Sequence, residues 1–171
     1  GGKQDQYAAT FGGFNFMEFN KNDKVIINPL RIKTDIINEL EVSTLLYFTG
    51  VSRSSSKIIK HQSDSLSNDN RLKAMHKIKQ MSFTTKEAIL KGDFGLLYRT
   101  FIDAWEAKKK TSSLISNKDI DEIYNAALDS GAFCGKISGA GGGGFMLLYI
   151  DPTKKNEIIE RLSLFQGYFI N

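Results

Sequence analysis

Six consecutive positions, Gly139-Ala140-Gly141-Gly142-Gly143-Gly144, hold five glycines, and Ser138 precedes them. Glycine loses more backbone entropy on folding than any other residue, so such a run neither continues a strand nor starts a helix cheaply. Before it, residues 133–137 read as a short strand. After it, Phe145-Met146-Leu147-Leu148-Tyr149-Ile150 reads as a second, wholly apolar strand. The chain must therefore fold here as strand, loop, strand. Gly139, Gly141 and Gly144 satisfy the spacing G-x-G-x-x-G, but a dinucleotide site needs a helix after the loop to meet the phosphates. A strand follows, so that reading fails on context. A Walker A loop fails as well, because no Gly-Lys-Ser/Thr closes the run. What remains is a bend whose bare backbone lets a ligand approach its amides closely. The alternative is a flexible hairpin tip. Tips rarely use so many glycines without Asn, Asp or Lys among them, and the ligand-binding reading is favoured.

The rest of the chain divides into a strand-rich start, a helical middle and a strand-rich end. A short helix over 4–10 is expected to close at Gly12-Gly13, since glycine takes the positive-φ conformation that ends helices. Phe14, Phe16 and Phe19, then the turn signal Asn20-Lys21-Asn22-Asp23, then Val25-Ile26-Ile27 predict a hairpin. Leu45, Leu46, Tyr47 and Phe48 make a continuous apolar run suited to a central strand over 43–49. Ser54, Ser55 and Ser56 are N-cap candidates for a helix carrying Ile58 and Ile59, and the polar stretch 62–70 reads as a loop. Leu72, Met75, Ile78 and Met81 recur every three residues; Leu90, Phe94, Leu97, Phe101 and Trp105, and then Ile120, Ile123, Tyr124, Ala127 and Leu128, recur every three or four. All three stripes are read as packing surface, with Gly92 breaking the second. Asp151-Pro152 opens a helix bearing Ile158, Ile159, Leu162 and Phe165, and Gly167-Tyr168-Phe169-Ile170 starts a last strand. The expected fold is α+β, an antiparallel sheet layered against helices. A helix at the first residues and a strand at the last suggest a piece of a longer protein.

Composition excludes some classes. With 12 Phe, 6 Tyr and 41% hydrophobic residues in 171, the chain can build a core and is not read as disordered. No stretch approaches the ~20 apolar residues of a membrane span, and the start lacks a signal-peptide layout. The single Cys134 excludes an internal disulfide and a cysteine-rich metal site. A cytoplasmic protein is the default. The net charge of +4 is weak support for an anionic partner. Lys108-Lys109-Lys110 is read as a solvated helix terminus rather than a nucleic-acid patch. Cys134, His61 and His76 are read as structural, and no metal-binding set is expected.

Two further segments could carry chemistry. Asp5 would lie in the first turn of its helix, where negative charge is favoured, flanked by Gln4 and Gln6, which could hold a ligand hydroxyl. A capping aspartate is the plain alternative. Arg53-Ser54-Ser55-Ser56, at a strand-to-helix junction, could form an anion pocket from a guanidinium, three hydroxyls and helix amides. A serine cap beside a surface arginine serves equally well.

Gly2-Lys3-Gln4-Asp5-Gln6-Tyr7 with Phe11-Gly12-Gly13, and later Lys136-Ile137-Ser138 with the glycine run and Phe145, resemble the sugar-kinase branch of the GHMP kinases. Thr49-Gly50-Val51-Ser52-Arg53-Ser54-Ser55-Ser56, His61-Gln62 and Met81-Ser82-Phe83 most resemble the D-glycero-D-manno-heptose 7-phosphate kinases. The resemblance spans essentially the whole chain. It implies ATP- and Mg²⁺-dependent phosphorylation of the anomeric hydroxyl of a 7-phosphorylated heptose, giving a 1,7-bisphosphate for cell-surface polysaccharide synthesis. Asp5 would then be the catalytic base or orienting group. Gly139, Ala140, Gly141, Gly142, Gly143 and Gly144 would lie against the ATP phosphates. Gly2, Gln4 and Gln6 would bind substrate, and Arg53, Ser54, Ser55 and Ser56 could hold the sugar phosphate, a reading of these residues and not of the family's motifs.

The family's second motif, a glycine- and serine-rich ATP loop that helps bind Mg²⁺, would lie upstream of Gly1. The resemblance thus implies a C-terminal half that needs an N-terminal kinase domain as partner and turns over negligibly alone. Residues 1–40 would be the remnant of that N-terminal (S5-like) domain, and 41–171 the C-terminal domain. A galactokinase-like or fucokinase-like enzyme, and a non-catalytic α+β module that binds a small anion, are the competing readings.

Overall fold

The fold is described from a computed structural model, which places residues 3–51, 54–64 and 69–170. The first part runs α1 (Gln4–Phe11), β1 (Asn15–Phe19), β2 (Val25–Pro29), α2 (Thr34–Val42), β3 (Thr44–Phe48) and α3 (Ser55–Asp64). Then come α4 (Asp69–Lys91), α5 (Phe94–Lys109), α6 (Lys118–Asp129), β4 (Ala132–Ile137), β5 (Phe145–Ile150), α7 (Lys155–Leu162) and β6 (Tyr168–Phe169).

The apolar runs become the middle of one antiparallel sheet, ordered β4-β5-β3-β6. Side chains alternate across a strand, so a strand covered on both faces must be apolar at every position. In β5, Met146, Leu148 and Ile150 join the core built with Ile120, Ile123 and Tyr124 of α6 and Ile158 and Leu162 of α7. Leu147 and Tyr149 point the other way, toward Ile36 and Leu40 of α2, Ala88 of α4 and Leu97 of α5. Each fully buried Leu or Ile contributes about 1.5–3 kcal/mol. Tyr47 fixes the sheet's far edge: its buried hydroxyl donates to the Leu162 carbonyl (3.1 Å) and accepts from the Gly167 amide (3.0 Å).

The expected hairpin is β1-β2, with Asn22 and Asp23 of its turn at positive φ. Helix α1 ends at Gly12, φ 61°, as expected of a glycine stop. Gly92 (φ 69°) separates α4 from α5, and Asp93 caps α5 by accepting the Leu96 amide at 2.8 Å.

Four expectations change. Helix α2 has no counterpart in the sequence reading, and it crosses the 40/41 boundary, packing Ile36 and Leu40 against the sheet. The loop expected over 62–70 is helical at both ends, 62–64 closing α3 and 69–70 opening α4. The stripe of α4 is not a core stripe: Leu72 and Met75 are exposed, while the buried positions are Ala74 and Ala88. Close approach of α5 selects small residues there, so the large ones face elsewhere. Finally, Lys108 and Lys109 are half-buried rather than solvated, and Lys110 alone of the three is exposed.

Among the described residues, no helix is long and apolar enough to cross a membrane.

Candidate functional site

The glycine loop joins β4 to β5, and its two halves differ. Gly141, Gly142 and Gly143 are buried against neighbouring backbone. The Gly142 amide donates to the Ile115 carbonyl and the Gly144 amide to the Val51 carbonyl, each at 2.7 Å. A Cβ on Gly141 would stand 3.0 Å from the Ile115 oxygen, and one on Gly143 2.5 Å from the Val51 oxygen. These glycines are required by packing. Two amides expected to be available to a ligand are thus already taken. Ser138 and Gly139 are exposed, and a Cβ on Gly139 or Gly144 would meet nothing within 4 Å, at φ +72° and +88°. The open face of the loop lies at these positions.

Two contacts outside the loop hold it in place. His61 Nδ1 shares a 2.8 Å hydrogen bond with Ser112 Oγ, and Gln62 Nε2 donates to Thr111 Oγ1 at 2.8 Å. They tie α3 to the segment that carries Ile115. The start of α3 adjoins the loop through Val51, which precedes it and whose carbonyl accepts the Gly144 amide; Ser54 and Ser56 are exposed, their hydroxyls 2.8 Å apart. Ser55 opens the helix, but its side chain lies outside the described residues, as do Arg53 and Gly2 entirely.

Lys108 bridges into the loop from α5, its ammonium donating to the Gly139 carbonyl. Burial, and then the charge of Lys136, bring its pKa down to about 8. Lys136 is lowered too, by burial. Lysine is ordinarily solvated, and a lysine inside the apolar strand Ala132–Ile137 was the sequence signal for an unusual site.

The amino-terminal elements reach the same region through aromatic contacts. Tyr7 of α1 meets Phe19 of β1 edge-on at 5.7 Å, and Phe16 packs on Phe83 of α4 at 5.1 Å. An exposed ion pair joins Lys3 to Asp23. The outcome is a cavity of about 570 Å³ shared by Gln4, Phe16, Ser82, Lys86, Phe101 and Lys136, among others. Gln4 and the strand that leads into the glycine loop thus line one space. Asp5 sits in the first turn of α1, exposed and next in sequence to Gln4; neither Asp5 nor Gln6, which is also exposed, lines the cavity itself.

A phosphate chain suits the loop's open face, with a lysine at Gly139 and a helix start beside it. A metal cage is a different matter. No group of three His, Cys, Asp or Glu side chains that could hold an ion occurs among the described residues. Cys134 is fully buried, with its thiol pushed up to about 12 by burial. His76 lies exposed on α4.

An antiparallel sheet with helices on both faces, a glycine bend between its strands and an amino-terminal helix over the adjoining cavity are features of a known class. Residues 85–166 match the family described as GHMP kinases C terminal, and the chain carries a GHMP kinase C-terminal domain. More particularly, it is 51% identical over 168 residues to the D-glycero-alpha-D-manno-heptose 7-phosphate kinase of Campylobacter jejuni, covering 98% of this chain and 50% of that protein. A Campylobacter jejuni crystal structure described as a sugar kinase aligns with TM-score 0.73 and 49% identity, covering 99% of this chain and 48% of that one. The bifunctional fucokinase/GDP-fucose pyrophosphorylase of Arabidopsis thaliana is 27% identical over 95% of this chain and 16% of its own length. The chain spans about half the length of the Campylobacter proteins it matches.

Proposed function

We propose that this chain is the C-terminal half of an ATP-dependent sugar-phosphate kinase that phosphorylates the anomeric hydroxyl of D-glycero-D-manno-heptose 7-phosphate. The observation that supports the reading is the cavity lined both by Gln4, the neighbour of Asp5 in sequence, and by Lys136, on the strand that leads into the glycine loop. The 51% identity to the Campylobacter heptose kinase supports the choice of sugar. In this reading an N-terminal kinase domain completes the site and supplies most Mg²⁺ contacts. The product feeds cell-surface polysaccharide synthesis in the cytoplasm. The helix and hairpin before α2 belong with that N-terminal domain, which moves the division from 40/41 to the start of α2.

ATP supplies the phosphoryl group. Asp5 orients the anomeric hydroxyl and accepts its proton as that oxygen bonds to the γ-phosphorus and the bridging oxygen leaves with ADP. Such a transfer depends chiefly on positioning and charge, so a carboxylate suffices as acceptor. Gln4 and Gln6 hold sugar hydroxyls. Gly139 to Gly144 shape the phosphate channel, with Ala140 on its half-exposed side. Lys108 fixes the Gly139 peptide and adds positive charge there. Arg53 and the serines beside it are the anion contacts of this reading at the start of α3.

Assay of the full-length protein with ATP and a sugar panel tests the proposal. Heptose 7-phosphate is expected to give the highest kcat/KM, with galactose and fucose far below. A preference for fucose would move the assignment to the fucokinase relative. Ligand binding with no transfer to any sugar would leave the anion-binding module.

A further inference from the structure

The cavity beneath Gln4 contains positive charge that the protein does not neutralise. Lys86, on α4, holds its ammonium 4.6 Å from the centre of the Phe16 ring. Lys136, on β4, sits 5.7 Å from that of Phe101. An aromatic face stabilises a cation without cancelling its charge. Among the described residues neither lysine forms an ion pair with a carboxylate. Burial of Lys136 in this space already lowers its pKa, which is the cost of holding its charge there. An anion entering the space would offset that cost. At about 570 Å³, the cavity lies within the size range of small-molecule sites, and Gln4, Asn15, Ser82 and Thr85 add polar groups for hydroxyls.

We propose that Lys86 and Lys136 hold the phosphate that the sugar already carries, so that this cavity, rather than the serine segment at the start of α3, selects phosphorylated over plain sugar. The inference rests on the kinase reading and sharpens it. Ser54 borders a smaller cavity of about 250 Å³ with Lys57, Ile58 and Leu114, and its hydroxyl is bonded to that of Ser56. That position suits the nucleotide's phosphates. The sugar's phosphate then lies on the Gln4 side of the loop and the nucleotide on the α3 side, with the reacting hydroxyl between them.

The test is kinetic and calorimetric, on the full-length protein. Wild type, K86M, K136M, K136R, S54A/S56A and the exposed-lysine control K110M are compared on D-glycero-D-manno-heptose 7-phosphate and on the unphosphorylated heptose. Losing one charged contact to phosphate is expected to cut the preference in kcat/KM roughly 10- to 100-fold in K136M and in K86M. K136R should restore much of it, which separates charge from folding. K110M and S54A/S56A should keep it. Retained preference in both K86M and K136M, or its loss in S54A/S56A instead, overturns the inference while the kinase reading stands. No transfer by wild type to either sugar overturns the kinase reading. Titration calorimetry with heptose 7-phosphate then decides the subsite alone: binding lost in K136M supports it, and binding unaffected by K136M, or none to wild type, overturns it.

Discussion

The two ends of the proposed site are built differently. The glycine loop is set into the fold: three of its residues are buried, two of its amides are bonded to Ile115 and Val51, and Lys108 reaches its exposed turn. The Asp5 end rests on an eight-residue helix with no buried residue, docked through Tyr7 on a hairpin that is itself docked through Phe16. One region holds its shape by packing; the other is carried to its place by a few ring contacts. Substitutions in the loop should therefore disturb fold and function together, whereas those at Asp5 should act on chemistry alone.

The largest expected effect isolates the chemistry. Asp5→Asn in the full-length protein should lower kcat by about three orders of magnitude, the middle of the range for a proton-accepting group, with Tm unchanged. A fall in Tm of several degrees would erase the contrast between the regions. Next comes Gly143→Ala. Its Cβ would lie 2.5 Å from the Val51 oxygen at a φ of +140°, at a cost of about 3 kcal/mol. Tm should drop by roughly 5 °C or more. Gly139→Ala, with nothing within 4 Å of its Cβ, should cost about 1 kcal/mol. Equal losses at the two positions would mean that the loop has no buried and open halves.

Phe16→Ala tests the hinge between the regions. Loss of its ring contact with Phe83 and of the Lys86 cation above it should cost about 1–2 kcal/mol of hairpin docking. The expected readout is a roughly tenfold fall in kcat/KM for the sugar, with nucleotide affinity nearly intact.

The smallest effect is on pH. In the free protein Lys108 titrates near 8 rather than near its ordinary 10.5. Its charge, and the nucleotide affinity that charge supports, should fade as pH rises through about 8; the profile should be shallower in K108M. The linkage to stability has the opposite sign. Between about 8 and 10.5 the unfolded chain holds this proton and the folded one does not, so Lys108 makes folding more favourable as pH increases. Bound phosphate should raise the Lys108 pKa, so nucleotide binding above pH 8 should take up a proton, measurable as a buffer-dependent enthalpy.

Much of the fold could be read from pattern because it follows local rules. The strand-loop-strand at the glycine run, the hairpin turn, the break at Gly92 and the apolar face of α6 all express backbone freedom or periodicity. The failures share a cause. In α4, large apolar residues at a spacing of three outvoted Ala74 and Ala88, although small residues are what a tightly apposed helix buries. Helix α2 is nine residues long and buries only Ile36 and Leu40, too brief a stripe to stand out. The candidate site could be named from the sequence where backbone chemistry marks it, at Asp5 and the glycines. It was hidden where tertiary packing creates the property, as at Lys86 and Lys108, while Lys136 left only the trace of a lysine inside an apolar strand. A lysine in a sequence reads as solvated until tertiary packing encloses it.

A crystal structure of the full-length protein with a non-hydrolysable ATP analogue and heptose 7-phosphate tests the shared site most directly. The account predicts the anomeric oxygen within hydrogen-bonding reach of the Asp5 carboxylate, about 2.6–3.2 Å, with the nucleotide phosphates along the open face of the glycine loop. Sugar bound elsewhere, with Asp5 left facing solvent, would contradict it.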